Sequence, residues 1–358
     1  MANKKVAWIL VIALIFSSLG FTINYLRNEC YFPFCRGFIS VLYETERIYR
    51  QKRVEAKIKK ESDEAFRARI EKKKAEAEKG SNFITSNIIV TAHNTLILDE
   101  YDLPSTMRYG GLTSYKDSFF FIDGRGLLYH FKKDRLIPIV GRPFDNHRKE
   151  FLEVYSGRGF ATSYTVKGLT LFKKNENNYL IASSFDYDKK NNCHFLTLFK
   201  TKIIDNGSDI EITPWENIFK SQPCLKIRPP GLPKTDPGVI GNTVSAGGAI
   251  KQLNNNYVLF TIGDLENNGQ NSKDLTQDMS TSYGKVIAVN IFTKENEIYS
   301  TGFRNAQGLF INPKKRIFLT TQGPYGGDEL NIIKKGANYG WPLRTFGVDY
   351  NLTIHKWE

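Results

Sequence analysis

The sequence predicts an all-β chain of the β-propeller type, preceded by an apolar N-terminal segment and a charged helical stalk. Three observations carry that expectation. From residue 84 onward, short β-branched and aromatic runs alternate with Gly, Asn and Asp, each run of strand length and without helical periodicity. The turns between them are of the Asp-Gly, Asn-Gly and Asn-Asn kind. Two stretches, 253–259 (LNNNYVL) and 312–319 (NPKKRIFL), repeat one design, a turn-rich linker and then a strand. Many short strands with regular turns fit a sandwich, a barrel or a propeller, and the repeat favours the propeller. The repeat spacing of about 60 residues exceeds the ~40–50 of a bare blade, so it includes a longer loop.

At 358 residues and 41% hydrophobic content, the chain can bury one large domain or two medium ones. Its net charge of +13 is spread out, with +3 in residues 1–43, +4 in 44–79 and +6 in 80–358. Nucleic-acid binding usually needs a concentrated basic face, so this balance argues against a nucleic-acid partner.

The elements follow in order. Residues 1–27 open with Lys4 and Lys5, then run apolar from Val6 to Phe16 and more weakly to Leu26. The span from Val6 to Tyr25 matches the ~20 residues of a membrane-crossing helix. A cleaved signal peptide and an uncleaved signal anchor both fit. The poor small-x-small pattern around Ser17-Ser18-Leu19-Gly20 favours the anchor. Lys4 and Lys5 argue for a cytoplasmic N-terminus and a propeller on the periplasmic side, while the basic residues after the span pull the other way.

Residues 28–80 form a second region. It holds a Cys turn, Cys30 to Cys35, and then a stretch at 43–79 with no Gly or Pro that is rich in Glu, Lys, Arg and Ala. These are strong helix formers, and the segment reads as a solvated stalk. Ile48, Val54, Ile58, Phe66 and Ile70 are sparse for a heptad seam, and an oligomerising coiled coil is the sharper alternative. None of the four cysteines forms a CxxC pair, which argues against zinc. Two disulfides, Cys30–Cys35 and Cys193–Cys224, or four free thiols are both compatible with the spacing.

Residues 81–358 carry the expected propeller. Its clearest strands are 88–90, 117–122 (DSFFFI), 126–131 (GLLYHF), 178–182 (NYLIA), 194–199 (HFLTLF), 256–262 (NYVLFTI), 285–289 (KVIAV) and 316–320 (RIFLT).

Four pieces in this last region occur in order. They are 244–250 (VSAGGAI), 261–264 (TIGD), 301–309 (TGFRNAQGL) and 322–331 (QGPYGGDELN), the last running into 338–342 (NYGWP). Together they resemble the glucose/sorbosone dehydrogenase family, soluble aldose sugar dehydrogenases that use pyrroloquinoline quinone. The resemblance covers about 240–350, and it implies a six-bladed propeller with the quinone across its top. It further implies that Gly323 and Pro324 offer backbone carbonyls to calcium, a hard ion that takes oxygen ligands. Asp328 and Glu329 would hold that loop, and the turn at 338–342 would pack its aromatics beneath it. Arg304 and Asn305 match positions that touch the quinone, with Gln307 beside them. A guanidinium there stabilises charge developing on the quinone. Taken singly, each piece also fits a structural role, with Tyr339 and Trp341 as core and Gly326 to Glu329 as a self-capped loop.

The sequence departs from the family pattern in three places. Family members with sugar-oxidising chemistry carry a histidine two residues before the Gly-Gly pair, and here Ser245 stands there. An alcohol is a poor base near neutrality, and losing a general base costs ~10²–10⁴-fold in rate. No histidine lies between His194 and His355. Asp264 matches the aspartate that supports the family histidine and is the alternative direct base, read as an exposed carboxylate and so weakly basic. The loop 264–269 begins like a calcium loop but meets Leu275 where a closing acid belongs, which favours a plain polar loop. Finally, the sequence ends at Trp357-Glu358, where family members continue. The expectation is either a fragment or a propeller completed by strands from 81–240.

Two functions follow from these observations. One is a membrane-anchored oxidoreductase acting on the CH–OH group of an aldose, using pyrroloquinoline quinone and calcium. The other is a non-catalytic propeller that binds a glycan or a protein partner.

Overall fold

The computed structural model describes residues 83–90, 95–101, 110–133, 135–139, 144–155, 163–207, 209–226, 243–269 and 273–348. The expected anchor (1–27), the Cys30–Cys35 turn and the helical stalk lie outside the described residues. Among the described residues, no helix is long and apolar enough to cross a membrane. The chain falls into two compact units, 1–102 and 103–358. In the first, β1 (Phe83–Val90) and β2 (Thr95–Tyr101) form an antiparallel hairpin in which Ile88 faces Ile97.

The second unit contains four antiparallel sheets. The first is a meander of β3 (Gly110–Tyr115), β4 (Ser118–Asp123), β5 (Leu128–Lys132) and β6 (Arg135–Pro138). A short helix, α1 (Arg148–Tyr155), follows; it buries Phe151 and Tyr155 and lies in a region read from sequence as strand and turn alone. The second sheet runs β7 (Val166–Lys174), β8 (Asn177–Asp188) and β9 (Cys193–Asp205). Three short strands, β10 (Ile210–Ile212), β11 (Glu216–Lys220) and β12 (Leu225–Lys226), all pair with β9. The third is β13 (Gly247–Gln252), β14 (Tyr257–Ile262), β15 (Lys285–Asn290) and β16 (Asn296–Thr301). The fourth is β17 (Asn305–Ile311), β18 (Ile317–Gln322) and β19 (Glu329–Ile333). The two repeated stretches read from sequence fall at equivalent places, the turn from first to second strand in the third and fourth sheets.

The first strand of each sheet is its innermost, and β3 packs on β7, β7 on β13 and β13 on β17. This is the radial arrangement of propeller blades around a hub. Of the six blades expected, four sheets are seen among the described residues. The alternation that marks a half-buried strand supplies the packing surfaces. In β4, Phe120 and Ile122 are buried while Phe119 is exposed. Three apolar clusters fill the gaps between consecutive sheets. Phe120, Ile122, Leu180 and Phe199 join the first to the second, Phe172, Leu196, Val258 and Phe260 the second to the third, and Leu259, Val286 and Leu319 the third to the fourth.

Hub strands approach one another closely, and glycine makes that possible. A Cβ on Gly168 would stand 2.6 Å from the Gly248 carbonyl oxygen of the next sheet. Side-chain bonds fix the relative register. The Thr113 hydroxyl accepts from Leu171 N at 3.0 Å, and Gln252 Oε1 accepts from Lys173 N at 2.9 Å. These pairs, with Gly168 against Gly248, make the hub strands run the same way. Their starts, and the ends of the second strands they pair with, therefore gather at one end of the hub. Cys193 and Cys224 are joined in a disulfide, in agreement with one of the two pairings the spacing allowed.

Candidate functional site

The site is built from chain segments that enter or leave the hub strands at that common end. The approach to β13 is a corner in which Ser245, Gly247 and Gly248 have φ of 52°, 67° and 108°. Left-handed φ is cheap for glycine but costly for serine, and such outliers persist only where their surroundings hold them. The surroundings do so here. Ser245 O accepts from Leu265 N at 3.3 Å and Ala246 O from Gly263 N at 2.9 Å. Gly247 N donates to Asn305 Oδ1 at 3.0 Å, and Ala249 N to Thr261 Oγ1 at 2.9 Å.

Asp264 follows β14 and is fully buried, not exposed as the sequence reading expected. Its Oδ1 accepts from Glu266 N at 2.9 Å and its Oδ2 from the Trp341 indole at 2.9 Å. Burial pushes the carboxyl up to about 7, against the opposing pull of Arg304 and of those two hydrogen bonds. Both carboxylate oxygens thus have protein partners, and no water-facing surface is left to them.

Arg304 immediately precedes β17. It is buried, its Nη1 donates to Gly323 O at 2.8 Å, and its backbone oxygen accepts from Asp264 N at 2.8 Å. Its guanidinium carbon lies 5.8 Å from the Trp341 ring centroid, within cation–π range. Asn305 uses its amide in both directions, accepting from Gly247 N and donating to Gln322 Oε1 at 2.8 Å. At the end of β18, Gly323 N donates to Asp328 Oδ1 at 3.1 Å and Pro324 O accepts from Gly327 N at 3.3 Å.

The aromatic turn at 338–342 packs differently from expectation. Tyr339 stacks on Phe303 with centroids 5.0 Å apart, and Trp341 N donates to Gly302 O at 3.1 Å. The turn therefore lies against 301–303 and Asp264. The segment that reaches the 323–327 loop is 347–348, through the paired bonds of Tyr325 with Val348.

The structure thus links Ser245, Asp264, Arg304, Asn305, Gly323 and Asp328 in one bonded network. Gln307 stands apart, exposed on β17 and lining an open pocket of about 310 Å³ with Thr320, Thr321, Gln322, Asp328 and Glu329. The stretch 275–283 holds its own cation. Lys285 Nζ is fully buried and donates to the carbonyls of Leu275 (3.0 Å), Thr276 (2.9 Å) and Tyr283 (2.8 Å). The ammonium group thus organises the 275–283 stretch, while 264–267 is held by its own hydrogen bonds, as a plain polar loop. Among the described residues, no cluster of three or more His, Cys, Asp and Glu side chains is placed to hold a metal.

Two members of this end escaped the sequence reading. The Trp341 indole as a donor to Asp264 has no local signal, since the residues lie 77 apart. Lys167, on β7, belongs to no motif. Its stem lies so close to Gly248 that a Cβ there would overlap it, and its Nζ is 5.3 Å from the Phe185 ring centroid.

Residues 171–357, more than half the chain, match the family described as "Glucose / Sorbosone dehydrogenase". Over 155 residues the chain is 36% identical to the aldose sugar dehydrogenase YliI of Escherichia coli (strain K12), covering 39% of this chain and 36% of that protein. It is 34% identical over 110 residues to quinoprotein glucose dehydrogenase B of Acinetobacter calcoaceticus, covering 24% of this chain and 23% of that one. The matched part thus spans about a third or less of these curated relatives' length. A solved structure of the PQQ-bound aldose sugar dehydrogenase from Streptomyces coelicolor aligns with TM-score 0.45 at 18% identity, covering 68% of this chain and 66% of that chain.

Proposed function

The chain belongs to the glucose/sorbosone dehydrogenase family, and on that premise we propose that it is a quinone-dependent aldose dehydrogenase with its site at the common end of the hub strands. One observation carries the proposal. The residues matching the family's motifs, drawn from three separate segments, close into a single network through the Trp341–Asp264 and Arg304–Gly323 bonds. The named relatives, an aldose sugar dehydrogenase and a quinoprotein glucose dehydrogenase, support the same substrate and cofactor class.

The donor set fits pyrroloquinoline quinone, a flat ortho-quinone with carboxylate groups. Arg304 and Lys167 place two cations at this end of the hub, suited to carboxylates and to negative charge that develops on a carbonyl. When bound, the quinone supplies the hydride acceptor. Arg304 would lie beside it, steered by Gly323 O and by the Trp341 ring, with Asn305 as a further polar contact. Asp264 acts as a positioning residue, holding Trp341 and through it the guanidinium. Ser245 presents its hydroxyl from the left-handed corner toward the sugar.

Calcium does not fit Gly323–Pro324 in this arrangement. The Gly323 carbonyl already accepts from a guanidinium, the Pro324 carbonyl from Gly327 N, and Oδ1 of Asp328 from Gly323 N. A divalent ion there would face a neighbouring positive charge.

We further place residues 1–27 in a membrane as a signal anchor, with the propeller on the periplasmic side. The apolar run from Val6 to Phe16 behind Lys4 and Lys5 supports this placement.

The test is a titration of the full chain with pyrroloquinoline quinone, followed by absorbance, and then dye reduction over a panel of aldoses. Saturable binding and aldose-dependent turnover are expected, with Arg304→Leu lowering the rate by ~10²–10³-fold. The absence of any quinone-dependent spectral change would overturn the proposal. Ser245 in place of histidine favours a second reading, a propeller that binds a glycan or protein without turnover. Glycan binding with no dye reduction would select it.

A further inference from the structure

Oxidising a CH–OH group to a carbonyl breaks two bonds to hydrogen. Hydride leaves carbon for the ortho-quinone, and the hydroxyl proton must go to a base. Ser245 is a poor one, and Asp264 has both oxygens engaged inside the core. A histidine–aspartate pair stands on segments that no motif marked. His147 lies just before α1, and its Nδ1 is 2.8 Å from Oδ1 of Asp186, near the end of β8. The imidazole is 45% exposed, whereas the rings of the other described histidines, His130 and His194, are buried. A carboxylate only accepts, so the ring proton sits on Nδ1 and Nε2 carries the lone pair. Asp145 Oδ2 stands 4.0 Å from Nε2, beyond hydrogen-bond reach.

Hydrogen bonds tie this pair to the approach of the Ser245 corner. Asn146 Nδ2 donates to Ser184 Oγ at 3.0 Å, and Tyr164 OH donates to Asn146 O at 2.6 Å. The adjacent Ser163 hydroxyl lies 2.5 Å from that of Thr243, two residues before Ser245. The segment before α1, the entry to β7 and the entry to β13 therefore meet at one end of the hub. His147 itself has a left-handed φ of 52°, uncommon outside glycine. Its N donates to Asp145 Oδ1 at 2.9 Å and its O accepts from Phe151 N at 2.9 Å, which holds the ring toward Asp186.

We propose that Nε2 of His147 takes the proton from the sugar hydroxyl, with Asp186 as its positioning residue. This inference rests on the dehydrogenase reading above. Bonds and electrons balance. The C–H electron pair departs with hydrogen as hydride, the O–H pair becomes the second bond of the new C=O, and the proton passes to His147 Nε2. The Asp186 carboxylate then faces an imidazolium, which it stabilises without taking the proton itself. The charged groups around the ring are Asp145 on its own segment, Arg148 and Glu150 on α1, and Asp186 on β8. Arg148 Nε is turned to Tyr164 O at 3.1 Å, and Lys220 of β11 lies 3.7 Å from Asp186 Oδ2. Burial disfavours the charged imidazole, but the hydrogen bond to Asp186 and the three acids outweigh it and raise the group above its ordinary 6.5.

The experiment uses the full chain and the variants His147→Asn and Asp186→Asn. Asparagine tolerates the left-handed backbone at 147. Quinone binding, followed by absorbance, is expected to persist in both. At saturating quinone, turnover is expected to fall ~10²–10⁴-fold in His147→Asn. In the unmodified protein log kcat/KM should rise with pH and level off above 6.5. That limb should disappear in His147→Asn and move to lower pH in Asp186→Asn. Adding Ser245→His to His147→Asn should restore part of the rate. A readout independent of turnover is the NMR titration of the imidazoles without quinone. One resonance should titrate above 6.5, be absent from His147→Asn, and titrate lower in Asp186→Asn.

Three results overturn the assignment while leaving the dehydrogenase intact. These are unchanged turnover and pH limb in His147→Asn, loss of quinone binding in that variant, or a His147 resonance that titrates identically in Asp186→Asn. An unmodified protein that neither binds quinone nor reduces dye removes the dehydrogenase reading, and this inference with it.

Discussion

At the scale of single residues, Asp264 shows how a match to a motif can hide a change of role. Its place in the TIGD run suggested an exposed acid. The fold buries it completely and gives both oxygens partners. The consequence is measurable. Burial raises its pKa from the ordinary 3.8 to about 7, so between those values the folded state holds a proton that the unfolded chain releases. Stability contributed by this group is therefore complete at low pH and is lost as pH rises from about 4 to about 7. Thermal unfolding of Asp264→Asn, which cannot ionise, should show a flatter Tm profile across that window than the unmodified protein. Equal slopes would show that Asp264 is ionised throughout. Lys285 makes the complementary point. The sequence reads 264–269 as a plain polar loop with Leu275 where a closing acid would stand, and the structure turns the Leu275 carbonyl, with those of Thr276 and Tyr283, onto the buried Lys285 ammonium.

At the scale of elements, the strands legible in sequence are those that carry large β-branched and aromatic side chains. Each of the eight runs singled out falls within or overlaps β1, β4, β5, β8, β9, β14, β15 or β18. The innermost strands β3, β7, β13 and β17 were not among them. Each contains glycine, as at Gly110, Gly168, Gly247 and Gly308, and so scores poorly as a strand. Glycine is there because neighbouring hub strands leave no room for a Cβ, a requirement that exists only after assembly. Elsewhere an element is pinned covalently. The Cys193–Cys224 bridge ties the start of β9 to the chain just before β12, closing a loop with a sequence separation of 31. Replacing both cysteines by serine should lower unfolding stability by about 3 kcal/mol in denaturant titration, mainly by freeing the unfolded chain. An unchanged midpoint would mean the bridge adds nothing beyond β-pairing already present.

At the scale of the whole second unit, function depends on the hub strands keeping their mutual register, since only that brings 245, 264, 304 and 323 to one end. Gly168→Ala tests this directly. Its Cβ would meet the Gly248 carbonyl oxygen at 2.6 Å and Ser183 Oγ at 3.2 Å, so backbone must shift. A loss of about 1–3 kcal/mol is expected from such overpacking, together with weaker quinone binding, because the displaced strand carries the Ser245 corner. Wild-type stability and binding would show that the hub tolerates wider spacing. By itself the sequence determined the class of fold, the motif-bearing segments and their order, because strand periodicity, turn chemistry and short glycine-rich runs are local properties of the chain. Only the tertiary structure decided that Trp341 satisfies Asp264, that the Arg304 guanidinium donates to the Gly323 carbonyl, and that Lys167 lies at the same end as Ser245. Those are pairings between distant segments, set by how sheets stack around a hub, and neither composition nor spacing along the chain encodes them.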